Sequence, residues 1–555
     1  MNLPLACGRG CLRVLVFTFG FAMMGMAQTT TVYVHGNIYT GAKPARADAM
    51  AVRNGKVLAI GSAYDVGKAA GPGAPRIDLH GAFVMPGFND AHVHFGEGGA
   101  SKLEVDLVGT KSRAEMMQRI AAWAKKTKPG EWIVGRGWDH TLWADQTLPT
   151  RWELDKVTGG HPAVFVRIDG HISVANSAAL AAGGVTNKTP DPEGGKFDKD
   201  AKGELTGILR ETARDAVEGK IPAETHEQRK RGIEMVLADA AQSGLTSAQD
   251  FSSWDDYLIY EELEREGKLT LRLSEWLPFD LPVEQLKKMA AHHPADDPML
   301  HTAMLKAFMD GSLGSRTAAL LAPYSDDAKN SGIPRYTQEE LDVKTVERAR
   351  EGFQLGFHAI GDRGVHMALD SFELAEMNTP AAREHRFRIE HAQVVEPGDF
   401  KRFKQLGVIA SMQPNHLLTD MNWAMARLGP ERAKSSYAWR TFLNDGVKLA
   451  FGTDYPVEPL TPFRGVYSAV TRMNEAGTKS YFPEEKLTID EAIAAYTTGA
   501  AYAQFAETQK GTLAPGMFAD FVVLDRDITK VAAPEILKTK VLRTVVGGKT
   551  VYQAK

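Results

Sequence analysis

Seven short apolar runs recur through the middle of the chain, at 82–86, 244–250, 304–310, 354–358, 386–391, 408–413 and 447–454, each followed by an amphipathic helical stretch. Buried strands alternating with helices point to a parallel sheet covered by helices. Asp250, Asp310, His358, His391, Gln413 and Asp454 hold the same relative place, at the ends of successive runs. In a (β/α)8 barrel the C-terminal strand ends share one rim, so such residues meet above one mouth. A doubly wound open sheet would gather a site at one switch point, not from so many strands. The expected fold is therefore α/β, a (β/α)8 TIM barrel.

Strand-rich segments flank this centre. Residues 31–36, 49–52 and 56–61 read as strands, with Asn54-Gly55 as a hairpin signal. Residues 520–525 and 541–552 repeat that character. A small β-sandwich built from both termini, 28–82 and 506–555, is expected around a barrel at 83–505. Residues from about 110 to 225 are irregular and too long for one crossover. They hold Trp132, Trp138, Trp143 and Trp152 and read as an insertion near the barrel mouth.

The first 27 residues read as an export signal. Arg9 and Arg13 lead into an apolar run at 14–26, and Gly25-Met26-Ala27 offers a cleavage site before Gln28. The run is too short to span a bilayer. The expected location is exported, periplasmic or secreted, with no stable membrane insertion after processing. Both cysteines, Cys7 and Cys11, fall in this segment. The processed chain would then lack thiol catalysis, thiolate ligands and disulfides. A formal charge of −4 over 555 residues gives no electrostatic case for nucleic acid or an anionic membrane. The expected partner is a small-molecule substrate, and a homo-oligomer is compatible with the sequence.

The chemistry centres on Pro86-Gly-Phe-Asn-Asp-Ala-His92-Val-His94. In an extended segment, residues i and i+2 face the same side, so both imidazoles can reach one ion. His358, His391 and Asp454 at later strand ends extend the set. Nitrogen and oxygen ligands without sulfur suit Zn²⁺, Mn²⁺, Fe²⁺ or Co²⁺. Lys306 lies deep in a strand, where an ammonium is costly unless paired or modified. Either it pairs with Asp310 or Glu390, or CO₂ carbamylates it into a carboxylate able to bridge two metals. In the insertion, Arg167, Asp169 and His171 are candidates to hydrogen-bond substrate or a developing oxyanion; a polar loop network is the alternative. Trp138 is a candidate pocket wall, with burial in the insertion's own core as its alternative. Asp310 and Arg316 are candidate substrate contacts, or partners of one another. His226, His292, His293 and His385 sit in polar surroundings and are expected to be solvated.

Together these residues resemble the amidohydrolase superfamily, most closely its amidohydrolase 3 branch, which includes N-substituted formamide deformylases. The resemblance rests on the His92–His94 motif, Arg167-Ile-Asp-Gly-His171, Asn176-Ser177, Gly207-Ile-Leu-Arg-Glu211, Asp310-Gly-Ser-Leu-Gly-Ser315, His358-Ala-Ile-Gly-Asp-Arg363, Glu390-His-Ala-Gln393 and Gly452-Thr-Asp454. It implies a barrel with a terminal β-sandwich. It implies metal ligands at His92, His94, Lys306, His358 and His391, with Asp454 at the metal as the catalytic carboxylate and His171 as a second catalytic candidate. It also favours a carbamylated Lys306. The implied cofactor is a divalent ion, Zn²⁺ first, one or two per chain.

The implied reaction is hydrolysis of an amide, N-formyl or N-acyl carbon–nitrogen bond, with metal-activated water and Asp454 as general acid and base. A mononuclear deaminase would carry Glu three residues after the fifth-strand histidine, and here that position is Gly361. Lactone or ester hydrolysis needs nearly the same site. A binding protein on a retired barrel would have lost ligands, and here the set is whole.

Overall fold

The computed structural model describes residues 30–168 and 170–555, so the signal-like segment and Asp169 lie outside the described residues. Eight parallel strands form the central sheet: β1 (Phe88–Val93), β2 (Leu245–Asp250), β3 (Arg272–Pro278), β4 (Leu300–Phe308), β5 (Leu355–Ala359), β6 (Arg388–His391), β7 (Ile409–Met412) and β8 (Leu449–Phe451). They pair in chain order from β1 to β8. The seam between β8 and β1 is joined at the mouth, where Asp454 N donates to His92 O (2.8 Å) and His94 N donates to Tyr455 O (2.7 Å). The backbone that closes the TIM barrel thus also sets three of the expected site residues against one another.

Helices His226–Gln242, Trp254–Arg265 and Gln338–Arg350 each start at a capping box, Thr225 with Gln228, Ser253 with Asp256 and Thr337 with Glu340. These side chains satisfy the first free backbone N–H groups, so each helix begins at a defined point beyond its strand. Their apolar stripes, Ile233, Val236 and Leu237 among them, are buried.

Two strands differ from the sequence expectation. Phe83–Pro86 pairs antiparallel with Phe521–Leu524 and parallel with Asn37–Tyr39, so it belongs to a terminal sheet. The barrel begins at Phe88 rather than at 83. A run buried on both faces looks alike in either sheet, which is why periodicity could not place it. Gly87 makes the passage between sheets: a Cβ there would lie 2.1 Å from Thr246 Cγ2. Conversely β3 has no counterpart among the expected runs, because Arg272 and Glu275 interrupt its apolar pattern. Both are buried and bonded. Arg272 grips Asp520 through two hydrogen bonds (2.7 and 3.0 Å), tying the barrel to the C-terminal strands, and Glu275 Oε1 accepts from Ser252 N (2.9 Å).

Strands from both ends of the chain share a six-stranded sheet, beside a four-stranded sheet drawn from the N-terminal part alone. Tyr33, Ile38, Met50, Val84, Phe521 and Val545 pack in the core between them. The insertion, read as irregular, contains a six-stranded mixed sheet running from Val105–Asp106 to Leu205–Glu211. It has its own apolar core, and Trp138 lies inside it, fully buried, with Nε1 donating to Phe165 O (2.8 Å). Trp138 is therefore core and not a substrate wall. Among the described residues no helix is long and apolar enough to cross a membrane.

Candidate metal centre

His92 and His94 stand at the end of β1. Each has its Nδ1 held from behind: His92 by Glu390 Oε2 (2.7 Å), His94 by the Phe251 carbonyl (2.9 Å). An acceptor at Nδ1 places the ring proton there and leaves Nε2 as a lone pair, the arrangement metal-binding histidines use. Both Nε2 atoms face Asp454 Oδ1, at 3.6 Å from His92 and 3.1 Å from His94. Burial, and then the Lys306 ammonium, hold His92 well below its ordinary pKa, so its ring is neutral.

Asp454 follows β8 with φ 59°, and His391 ends β6 with φ 73°. Left-handed backbone is costly for such side chains and is kept where the surroundings demand it. Here it turns the chain sharply just as the strand reaches the mouth. Gly452 is needed for close approach: a Cβ would sit 2.5 Å from His92 N. Burial opposes ionisation of Asp454, but His92, His416 and His94 outweigh it and hold the carboxyl well below the usual carboxylate range.

His416 was not singled out from sequence. It lies on the helix Pro414–Asp420 directly after β7, with Nε2 3.2 Å from Asp454 Oδ2 and its ring stacked on His391 (5.7 Å, 21°). Burial disfavours its charge, yet Asp454, Asp420 and Glu458 raise its pKa to about 9. The sequence signal is Gln413-Pro-Asn-His416, a histidine one helical turn beyond a strand-end residue. Two sets of ligand atoms thus share one carboxylate, His92, His94 and Asp454 on one side and His391, His416 and Asp454 on the other, each within 4.8 Å. His391 Nδ1, His416 Nε2 and Asp454 Oδ1 are buried without a hydrogen-bond partner. Buried polar atoms that converge without partners are expensive unless a cation joins them. The donor set fits a divalent ion.

The remaining expected residues divide. His358, at the end of β5, packs against His391 (ring centroids 4.4 Å), and burial with Lys306 pushes it down to about 3. Lys306 Nζ lies 3.0 Å from His92 Nε2. Pairing with Asp310 or Glu390 is not observed: Glu390 is engaged by His92 and by Arg388 Nε (2.8 Å). Asp310 is buried and accepts from Ala319 N, Ile360 N and Gly361 N at 2.9, 3.0 and 2.7 Å. It organises the loops behind His358 and has no oxygen left over for substrate. Arg316 Nε and Nη2 are engaged by Asp326 (3.1 and 3.0 Å), so neither Asp310 pairing nor substrate contact describes it. His171 sits on the insertion, 65% exposed, with Nδ1 3.0 Å from Glu211 Oε2. A cavity of about 710 Å³ in the insertion, lined by Trp132, Val134, Arg136 and Glu224, contains none of the clustered histidines.

Glu390→Gln tests the support behind His92. It keeps the shape, removes the charge that fixes the ring, and leaves Arg388 buried beside a neutral group. The expected result is a loss of metal affinity of about 10- to 100-fold, the scale for such outer partners, read by competition with a chromophoric chelator.

A cluster of histidines around one ionised carboxylate, on the rim of a (β/α)8 barrel, fits a metal-dependent hydrolase. Comparison with known proteins is specific about which. The model of the amidohydrolase family matches residues 76–552. The chain belongs to this family, in its amidohydrolase 3 branch. It is 34% identical over 519 residues to the Protein LONG AFTER FAR-RED 3 of Arabidopsis thaliana, covering 91% of this chain and 88% of that protein. To the N-substituted formamide deformylase of Arthrobacter pascens it is 27% identical over 538 residues, covering 94% and 98%. The crystal structure of an uncharacterized metal-dependent hydrolase from Pyrococcus horikoshii OT3 superposes with a TM-score of 0.74 at 33% identity, over 91% of this chain and 99% of that one.

Proposed function

We propose that the protein hydrolyses a carbon–nitrogen bond outside peptides, in a small N-formyl or N-acyl amide. The observation that carries this reading is the convergence of His92, His94, His391 and His416 on Asp454, with His391 Nδ1, His416 Nε2 and Asp454 Oδ1 buried and without hydrogen-bond partners. A divalent ion held by these groups would supply Lewis acidity and lower the pKa of water to about 7. The protein's own part is positional. Glu390 and the Phe251 carbonyl keep His92 and His94 in the ligating tautomer. Asp454 stays ionised, so it can accept a proton at Oδ and return it to the departing nitrogen. Similarity to a formamide deformylase supports the N-formyl class.

Gly361 speaks against deamination. A Cβ there would lie 2.0 Å from Ala319 O, and its N–H already binds Asp310, so a glutamate proton shuttle has no room. The test is turnover of matched N-formyl, N-acyl, lactone and amino-heterocycle substrates before and after chelation. Turnover of the amides, lost on chelation and regained with Zn²⁺ or Mn²⁺, is expected. Turnover confined to lactones or to amino-heterocycles overturns the reading, as does ligand binding that survives chelation without turnover.

A further inference from the structure

Below the barrel, at the end opposite the mouth, a second group of ligating side chains meets. Glu261 and Glu264 come from the last turns of helix Trp254–Arg265, His293 from the segment after helix Val283–Ala290, and Asp297 from the turn before β4. His293 Nδ1 lies 2.9 Å from Glu261 Oε1. Its Nε2 lies 3.6 Å from both Glu264 Oε2 and Asp297 Oδ2, is shut off from solvent, and has no hydrogen-bond partner. The expectation of a solvated His293 is corrected, since only 14% of its side chain is exposed.

A second polar group is orphaned at the same place. Tyr257 is fully buried, its ring meets His293 edge-on, and its hydroxyl has no partner although Glu261, Glu264 and Asp297 all act on it. Among the described residues, the ion-pair partners of these three carboxylates are His292 and His293, with no lysine or arginine. Asp297 is rigidly presented, because its Oδ1 accepts from Met299 N (2.7 Å) and Leu300 N (3.3 Å), leaving Oδ2 turned to His293. A histidine braced by a carboxylate at Nδ1, with two carboxylates before its free Nε2, repeats the logic of a braced metal ligand.

We propose that His293, Glu264 and Asp297 form a second divalent-cation site, structural in role and separate from the barrel-mouth centre. One nitrogen and two oxygens without sulfur suit Zn²⁺ or Mn²⁺. The ion removes the repulsion between Glu264 and Asp297, and it pins the end of helix Trp254–Arg265 to the start of β4. Because it binds only the folded chain, it stabilises by mass action.

The experiment strips the full-length protein with chelator, reloads it with Zn²⁺, removes excess ion by gel filtration and counts zinc per chain. His293→Ala and Glu264→Gln are each expected to hold one zinc fewer than the unmodified protein and to lose part of the zinc-induced rise in Tm. Crystals at the zinc edge are expected to give an anomalous peak among the three side chains. Equal zinc counts in all three proteins, or no peak there, overturn the proposal. If His293→Ala does not fold, the near-isosteric Glu264→Gln carries the comparison. Both variants keep every barrel-mouth ligand, so failure here leaves the proposed hydrolysis untouched.

Discussion

Asp454→Asn is expected to lower kcat by at least about 10²-fold, the scale of general acid–base catalysis, with metal content near that of the unmodified protein. The two expectations rest on different atoms of one residue. Asparagine keeps an oxygen where Asp454 Oδ1 faces His92 and His94, so a ligand remains. It cannot accept and return a proton at that position. The charge matters as well, since Asp454 is the one carboxylate common to both sets of ligand atoms and its ionisation is secured by the surrounding histidines. His416 Nε2 is the group at Oδ2 (3.2 Å), so with the oxygen kept at Oδ1 the amide NH₂ falls on that side. Steady-state kinetics with metal analysis of the same preparation separates the roles. Unchanged turnover removes Asp454 from the chemistry, and collapse of metal content makes it chiefly a ligand.

The barrel and most of its rim were legible because strand-end polar residues repeat in register with an apolar pattern, and that coincidence has few structural explanations. What was not legible follows from the same rule. β3 carries Arg272 and Glu275 in the interior, where partners from distant segments, Asp520 and Ser252, make burial tolerable. No local pattern reports a partner 248 residues away, as Asp520 is from Arg272, or 23 away, as Ser252 is from Glu275. His416 belongs to a helix rather than a strand end, so a search along strand ends passes over it. Trp138 and Arg316 were offered to substrate because their types are common in binding sites. The Phe165 carbonyl, 27 residues on, and Asp326, 10 residues on, occupy them only once the intervening chain folds back. His293 shows the converse: polar neighbours in sequence suggest water, whereas in space Glu261 and Glu264, from helix Trp254–Arg265, and Asp297 surround the ring.

Lys306→Ala is expected to abolish metal retention and activity together, with partial recovery when a short-chain carboxylate such as formate is added. The reason is the position of the amine. Lys306 is buried in β4, its Nζ 3.0 Å from His92 Nε2 and within 5.0–5.8 Å of the ring centroids of Phe308, Trp276 and Phe251. Among the described residues no carboxylate forms an ion pair with it, although Glu390 and Asp454 act at longer range. Burial is the largest influence and brings its pKa down to about 8. An ammonium there points its protons at the lone pair that should hold the ion. Carbamylation would resolve the conflict: the neutral amine would add CO₂ with formation of an N–C bond and loss of one proton to solvent, leaving a carboxylate facing the same imidazole. Alanine leaves a gap lined by aromatic rings into which formate can bring the missing oxygens. Loading the unmodified enzyme with ¹³C-bicarbonate is expected to give a carbamate carbon resonance that Lys306→Ala lacks. Fully active, metal-loaded enzyme with no such resonance and an unmodified lysine in its electron density refutes the carbamate. The ions would then be held by His92, His94, His391 and His416 around Asp454 alone.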